Sequence, residues 1–157
     1  MIRLTRLADY AVLLMTHMAH EWRKDSARVM NAADLARETH IPGPTVSKIL
    51  GAMSRGDLLT SHRGHAGGYA LSRAPEDISA ADIIRVIEGP VALTECLDDG
   101  ADDCEIESLC GVRPSWNRIN DAITTALEGI TLAQMANDQL AVFGVEAPAF
   151  PTHTEVQ

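Results

Sequence analysis

The sequence predicts a mainly α fold, and three observations predict it. Apolar residues recur at three-and-four spacing through most of the chain. A proline-glycine-proline turn separates two short helical stretches near residue 43. The strand-like residues are confined to two brief runs around a glycine-rich loop. Three helices followed by a β-hairpin describe a winged helix-turn-helix, and a long helix is expected after it.

The first helix is expected from Leu4 to about Trp22, capped by Thr5, with Leu7, Ala11, Leu14, Met15 and Met18 on one face. Lys24-Asp25-Ser26 is a polar break. Asn31 caps a second helix, Ala32 to about Thr39, with Leu35 and Ala36 inward. In the third, Pro44 suits the first helical position, because its missing N–H would be unpaired there anyway. Val46, Ile49, Leu50 and Met53 form its buried stripe and leave Thr45, Ser47 and Lys48 outward. Leu58–Ser61 and Tyr69–Leu71 read as strands, and the glycines between them supply the positive-φ turn. A fourth helix, about Ser79 to Glu88, carries Ile83, Ile84 and Ile87 and stops at Gly89-Pro90. The long helix starts near Arg113-Pro114 and runs to about Glu128. Its stripe of Trp116, Ile119, Ile123 and Leu127 continues past Gly129 through Ile130, Leu132 and Met135.

The resulting boundaries are a winged helix-turn-helix DNA-binding domain over 1–75, a connecting helix over 76–92 and a cysteine loop over 93–112. A dimerisation helix region over 113–140 and a loose tail over 141–157 follow. A helix that long in a chain of 157 residues favours packing against a second copy. No secretory signal opens the chain and no apolar run approaches a membrane span, so a cytoplasmic protein without membrane contact is expected. The net charge of −9 conceals a split: residues 1–75 hold ten Lys/Arg against six Asp/Glu, and residues 76–157 three against sixteen. Only the front half invites an anionic partner.

That partner is read as double-stranded DNA. The third helix can lie in a major groove with Thr45, Ser47 and Lys48 near base edges. The hairpin, Arg63-Gly64-x-x-Gly67-Gly68-Tyr69, places an arginine on a glycine-rich tip that can approach phosphates or enter a minor groove. Either element alone could simply pack or decorate a surface; the pair favours DNA. No phosphate-cradling glycine loop and no nucleophile–base arrangement is readable, so an enzyme is not expected. The histidines read as structural or exposed.

All three cysteines lie in one stretch, Cys96, Cys104 and Cys110, spaced C-x7-C-x5-C. An odd, clustered set in a reducing compartment argues against disulfides and for a soft metal centre. Zinc has no CxxC pair and no well-placed histidine here. An iron–sulfur cluster tolerates the spacing and accepts one non-cysteine ligand. Three free thiols in an acidic loop remain the bland alternative.

Taken together these residues resemble the IscR/NsrR family of bacterial iron–sulfur transcription regulators, over about residues 1–137. The likeness is carried by Leu4-Thr5-x3-Asp9-Tyr10-Ala11, Pro44-x-Val46-x-Lys48-Ile49-Leu50, the Arg63–Leu71 wing, Ile83-Ile84-x-x-Ile87-Glu88-Gly89 and the three cysteines. Leu4–Val12 and Glu88–Cys96 look most like the branch that regulates the SUF iron–sulfur assembly operon. The resemblance implies a homodimer bound to palindromic operator DNA, with repression or activation governed by a cluster of the 2Fe-2S or 4Fe-4S type. It makes Cys96, Cys104 and Cys110 the cluster ligands. Members like IscR place a histidine three residues after the last cysteine, where this chain has Arg113. Nitric-oxide-sensing members use an aspartate on the first helix of the other subunit, and Asp9 stands at the matching place. Loss of the cluster through iron shortage, oxidants or nitric oxide would free the loop and change DNA affinity. A thiol or zinc switch that regulates DNA binding without a cluster is the alternative.

Overall fold

A computed structural model of the chain describes residues 3–64, 67–94, 97 and 110–142, the last four by their backbone alone. Its helices are α1 (Arg6–Lys24), α2 (Ala32–Thr39), α3 (Gly43–Arg55), α4 (Ala80–Glu88), α5 (Arg113–Glu128) and α6 (Leu132–Val142). One antiparallel hairpin, β1 (Leu59–His62) and β2 (Gly68–Leu71), lies between α3 and α4.

Caps set the helix limits. The Thr5 hydroxyl accepts the Ala8 N–H at 3.2 Å, so α1 begins at Arg6 and leaves Leu4 outside, two residues later than the apolar spacing suggests. It runs two residues beyond Trp22, with Arg23 and Lys24 favourably placed in its last turn. Asn31 accepts the Asp34 N–H at 2.8 Å and starts α2. Helix α3 begins at Gly43, one residue ahead of Pro44, because the Pro42 carbonyl accepts the N–H groups of both Thr45 and Val46. Ser79 and Asp82 form a reciprocal capping box at the head of α4.

The core is a single apolar cluster. Leu14, Met15 and Met18 of α1 meet Leu35 of α2, Val46, Ile49, Leu50 and Met53 of α3, and Ile83 of α4. All four stripe residues expected in α3 are fully buried. The hairpin pairs Leu59 with Leu71 and His62 with Gly68. A third, single-residue strand joins it: Met30 donates to the Tyr69 carbonyl at 2.9 Å and accepts the Tyr69 N–H at 2.8 Å. That contact explains Gly68, where a Cβ would stand 2.4 Å from the Met30 carbonyl oxygen. A Cβ at Gly67 would stand 2.5 Å from the His62 carbonyl oxygen.

The expected stripe from Trp116 to Met135 does not form one helix face. Helix α5 buries none of its residues, and Trp116 and Ile119 stay open to solvent. Gly129 ends it. Thr131 and Gln134 then build a fresh capping box, Gln134 Oε1 accepting the Thr131 N–H at 2.9 Å and Thr131 Oγ1 the Gln134 N–H at 3.2 Å. The chain turns back, the Leu132 N–H bonds to the Ile78 carbonyl at 2.7 Å, and Leu132 and Ala136 enter the core beside α1. Helix α6 is therefore part of the winged domain's packing, while α5 projects from it.

Glu21 is the charged residue buried in this core region, 7 % exposed, held by Lys24 at 2.6 Å and Arg28 at 2.8 Å. Burial works to raise its pKa, but the Lys24 hydrogen bond and the Lys24 and Arg28 charges outweigh that and hold it below the usual carboxylate value. A depressed folded pKa contributes stability above the unfolded pKa and loses it as pH falls through the folded one. Glu21→Gln is thus expected to cost about 1–2 kcal/mol at neutral pH, the partner cations being half in solvent. Urea melts should show that gap closing on acidification; a gap independent of pH would remove the ion pairs from the account.

Candidate nucleic-acid interface and thiolate loop

Two surfaces carry the residues singled out by the sequence. The first is built on α3 and the hairpin. Ser47 and Lys48 stand exposed on the first turns of α3, opposite its buried stripe, and Thr45 is half-buried beside them. The Leu58 N–H bonds to the Met53 carbonyl at 2.9 Å, which closes the end of α3 directly onto β1. Strand β1 leads to Arg63 and Gly64, both exposed, and Gly64 takes a φ of 115° that suits glycine. His65 lies outside the described residues.

Charge pairing separates the cations. Lys24 and Arg28 are bound to Glu21, Arg37 to Asp34 and Glu38, and Arg73 to Asp82 and to the Asp57 and Asp77 carbonyls. Among the described residues Lys48 and Arg63, like the exposed Arg6 and Arg55, enter no ion pair, so their charges remain available to an anion. Gly67 and Gly68 have a backbone reason to be glycine in the hairpin itself. His17 bonds Glu38 at 2.9 Å across α1 and α2. His20 Nδ1 is buried without a hydrogen bond, and burial together with Lys24 lowers its pKa. Both histidines are thus parts of the helical packing.

The second surface surrounds the cysteines. Cys96 and Cys104 lie outside the described residues; Cys110 is half-buried, its carbonyl accepting the Arg113 N–H at 3.3 Å at the head of α5. Asp9 is exposed in the first turn of α1. It lines a shallow groove of about 330 Å³ with Leu13 and Thr16 of α1 and Met135 and Asp138 of α6. The segment leading into the cysteines is fixed at its root. Glu88 accepts the Thr5 N–H at 2.6 Å, and the Leu93 N–H bonds to Asn120 of α5 at 3.2 Å. The end of α4 thus lies beside the start of α1, and the start of the loop lies on α5. Sequence reasoning missed Glu88, Asn120 and Asp138 at this place. Glu88 stood within a quoted motif, but its partner lies at the other end of the domain and nothing local marks the contact. Helix α5 presents a second groove, about 540 Å³, over Arg118, Ile119, Ala122 and Ile123.

No helix of the described residues is long and apolar enough to cross a membrane. Comparison with known proteins agrees with this architecture. A regulator of the helix-turn-helix type from Mycobacterium tuberculosis is 33% identical over 140 residues, 88% of this chain and 84% of its own. Among solved structures, CymR, the global cysteine regulator of B. subtilis, superposes with a TM-score of 0.65 at 27% identity, covering 87% of this chain and 97% of CymR. IscR of T. potens superposes with a TM-score of 0.65 at 25% identity, covering 95% of each. These neighbours are regulators, and no enzyme is among them. The Rrf2 model, described as an iron-dependent transcriptional regulator, matches residues 4–138, and the chain belongs to that family.

Proposed function

We propose that this transcriptional regulator binds operator DNA through α3 and the hairpin, and that an iron–sulfur cluster on Cys96, Cys104 and Cys110 sets its affinity. The observation that carries the reading is the pairing of two exposed, unengaged cations, Lys48 and Arg63, on one helix–hairpin unit that the Leu58–Met53 bond closes. Thr45, Ser47 and Lys48 read base edges; Arg63 and the Gly64 turn meet the backbone or minor groove, with Gly67 and Gly68 keeping the hairpin narrow. Lys48 is a donor only, so on a base edge it selects guanine over cytosine.

The donor set suits a cluster. Three thiolates in one segment leave one position, and Arg113, where a histidine ligand would stand, has no lone pair to give. Asp9 is exposed on a groove wall and open to a second copy of the chain. An oxygen ligand is a weak partner for iron–sulfur centres and suits a sensing site. The bound cluster would supply a redox-sensitive tie between the loop and α1, and the protein residues supply its placement. The apolar face of α5 supports a homodimer, the arrangement that two half-sites require. The likeness to IscR, with the Glu88–Cys96 motif, supports iron–sulfur assembly genes as the target. A thiol switch without a cluster is the second reading, favoured by the equally good superposition on the cysteine regulator CymR.

Anaerobic purification with visible spectroscopy and iron and sulfide analysis tests the proposal. A brown protein with matched iron and sulfide is expected; a colourless, iron-free protein with intact thiols would give the thiol switch its place. The DNA half is tested separately. Arg63→Ala should weaken operator binding and reduce the slope of log affinity against log salt by about one contact's worth, ~0.9. An unchanged slope with unchanged affinity would remove the hairpin from the interface.

A further inference from the structure

Glu88 is the last residue of α4 and is exposed, yet its carboxylate holds the opposite end of the domain. Its Oε1 accepts the Thr5 backbone N–H at 2.6 Å. Thr5 is the N-cap of α1, and its own hydroxyl is already committed to the Ala8 N–H. The start of α1 therefore has both halves of a capping box, with the second half supplied by another helix. The carboxylate also meets the positive end of the α1 dipole. Asp9 lies in this first turn, its N–H bonded to the Thr5 carbonyl at 3.1 Å.

On its other side Glu88 leads through residues 89–92 into the loop, whose first residue, Leu93, is held by Asn120. Gly89 follows with a φ of 89°, and the chain then runs toward the cysteines. Two residues before Glu88, Val86 fills the space left by Gly56 at the end of α3: a Cβ there would meet Val86 Cγ2 at 2.4 Å. Helix α4 thus touches the first turn of α1 with its last residue and the end of α3 with Val86.

We infer that Glu88 is a positioning residue that ties the first turn of α1, and Asp9 with it, to the root of the cysteine loop. The state of the loop then reaches the reading helix through α4. This rests on the proposed role of Asp9 and the loop, and the test separates the two. Full-length Glu88→Ala and Glu88→Gln are compared with wild type by two readouts. Hydrogen exchange at the Thr5, Ala8 and Asp9 amides reports the helix start whatever the loop holds. The ratio of operator affinities between the anaerobically purified and cluster-stripped forms reports coupling.

Glu88→Ala should speed exchange at these amides several-fold, leave the stripped form's operator affinity within about twofold, and bring the ratio close to one. Glu88→Gln retains an oxygen that accepts the Thr5 N–H and should restore the ratio. A purely structural role would lower both affinities together and leave the ratio alone, which overturns the inference. With a coloured wild type, unchanged exchange and ratio in Glu88→Ala also overturn it, while the proposed function stands. With a colourless wild type whose ratio is already one, the proposed function falls. Exchange then decides Glu88 alone: faster exchange in the alanine variant supports its hold on α1, and unchanged exchange refutes it.

Discussion

Leu132→Ala is expected to destabilise the winged domain by about 2–5 kcal/mol, the range for a buried leucine whose cavity does not collapse. Leu132 is fully buried and sits at the first position of α6, packed where α1 and the segment around Ile78 meet. At this chain length each kcal/mol lowers the melting temperature by about 2–4 °C. Operator binding should fail at the same temperature as the fold, because the core that Leu132 joins also seats α3. Ile130→Ala, two residues away but exposed, should stay within about 0.5 kcal/mol. Equal effects for the two would mean that α6 does not close the core. The comparison separates a C-terminal region that only joins subunits from one that completes the domain.

Cys110→Ala is expected to have the largest effect on regulation. The thiol is half-buried at the head of α5 and supports no core packing, so far-UV circular dichroism and melting should change little. The anaerobically purified variant should lack the visible absorption expected of the wild type. Coupling of one ligand to another in regulators spans about 5–150-fold in affinity. That whole factor should collapse to one, with DNA binding retained at a fixed strength. Cys104→Ala should behave in the same way. A Cys110→Ala protein that still holds matched iron and sulfide would take Cys110 out of the ligand set.

What the sequence made legible was local. Thr5 and Asn31 cap their helices through bonds to residues three positions on, a distance that composition and spacing reveal directly; Ser79, read as the first helical residue, proves to be the cap of α4. The α3 stripe and its exposed Ser47 and Lys48 follow from one helical period. The misread element is instructive. Apolar spacing continued smoothly through Gly129, while the Thr131-x-x-Gln134 capping box that restarts the helix was also present in the sequence and pointed the other way. Contacts between distant segments left no such trace. The Met30–Tyr69 bridge is one residue long, too short to show alternation, and the Thr5–Glu88 bond joins residues 83 positions apart. For the candidate site, Gly67 and Gly68 were legible as glycines that matter. Their crowding against the His62 and Met30 carbonyls required the folded backbone. Of the proposed ligands, Asp9 and Cys110 are placed, and Cys96 and Cys104 fall outside the described residues.

The Met30–Tyr69 bridge has a mechanical consequence. Met30 immediately precedes the Asn31 cap of α2, so the hairpin is stitched to the helix-turn-helix at one edge and joined to α3 through Leu58 at the other. These two ties limit how far the prongs of this fork can spread. On the proposed interface, a groove whose width differs from the fork's would have to yield, and the duplex's stiffness at base pairs between the prongs would enter the binding energy. Operators would then be sorted partly by how readily they bend at positions no side chain touches.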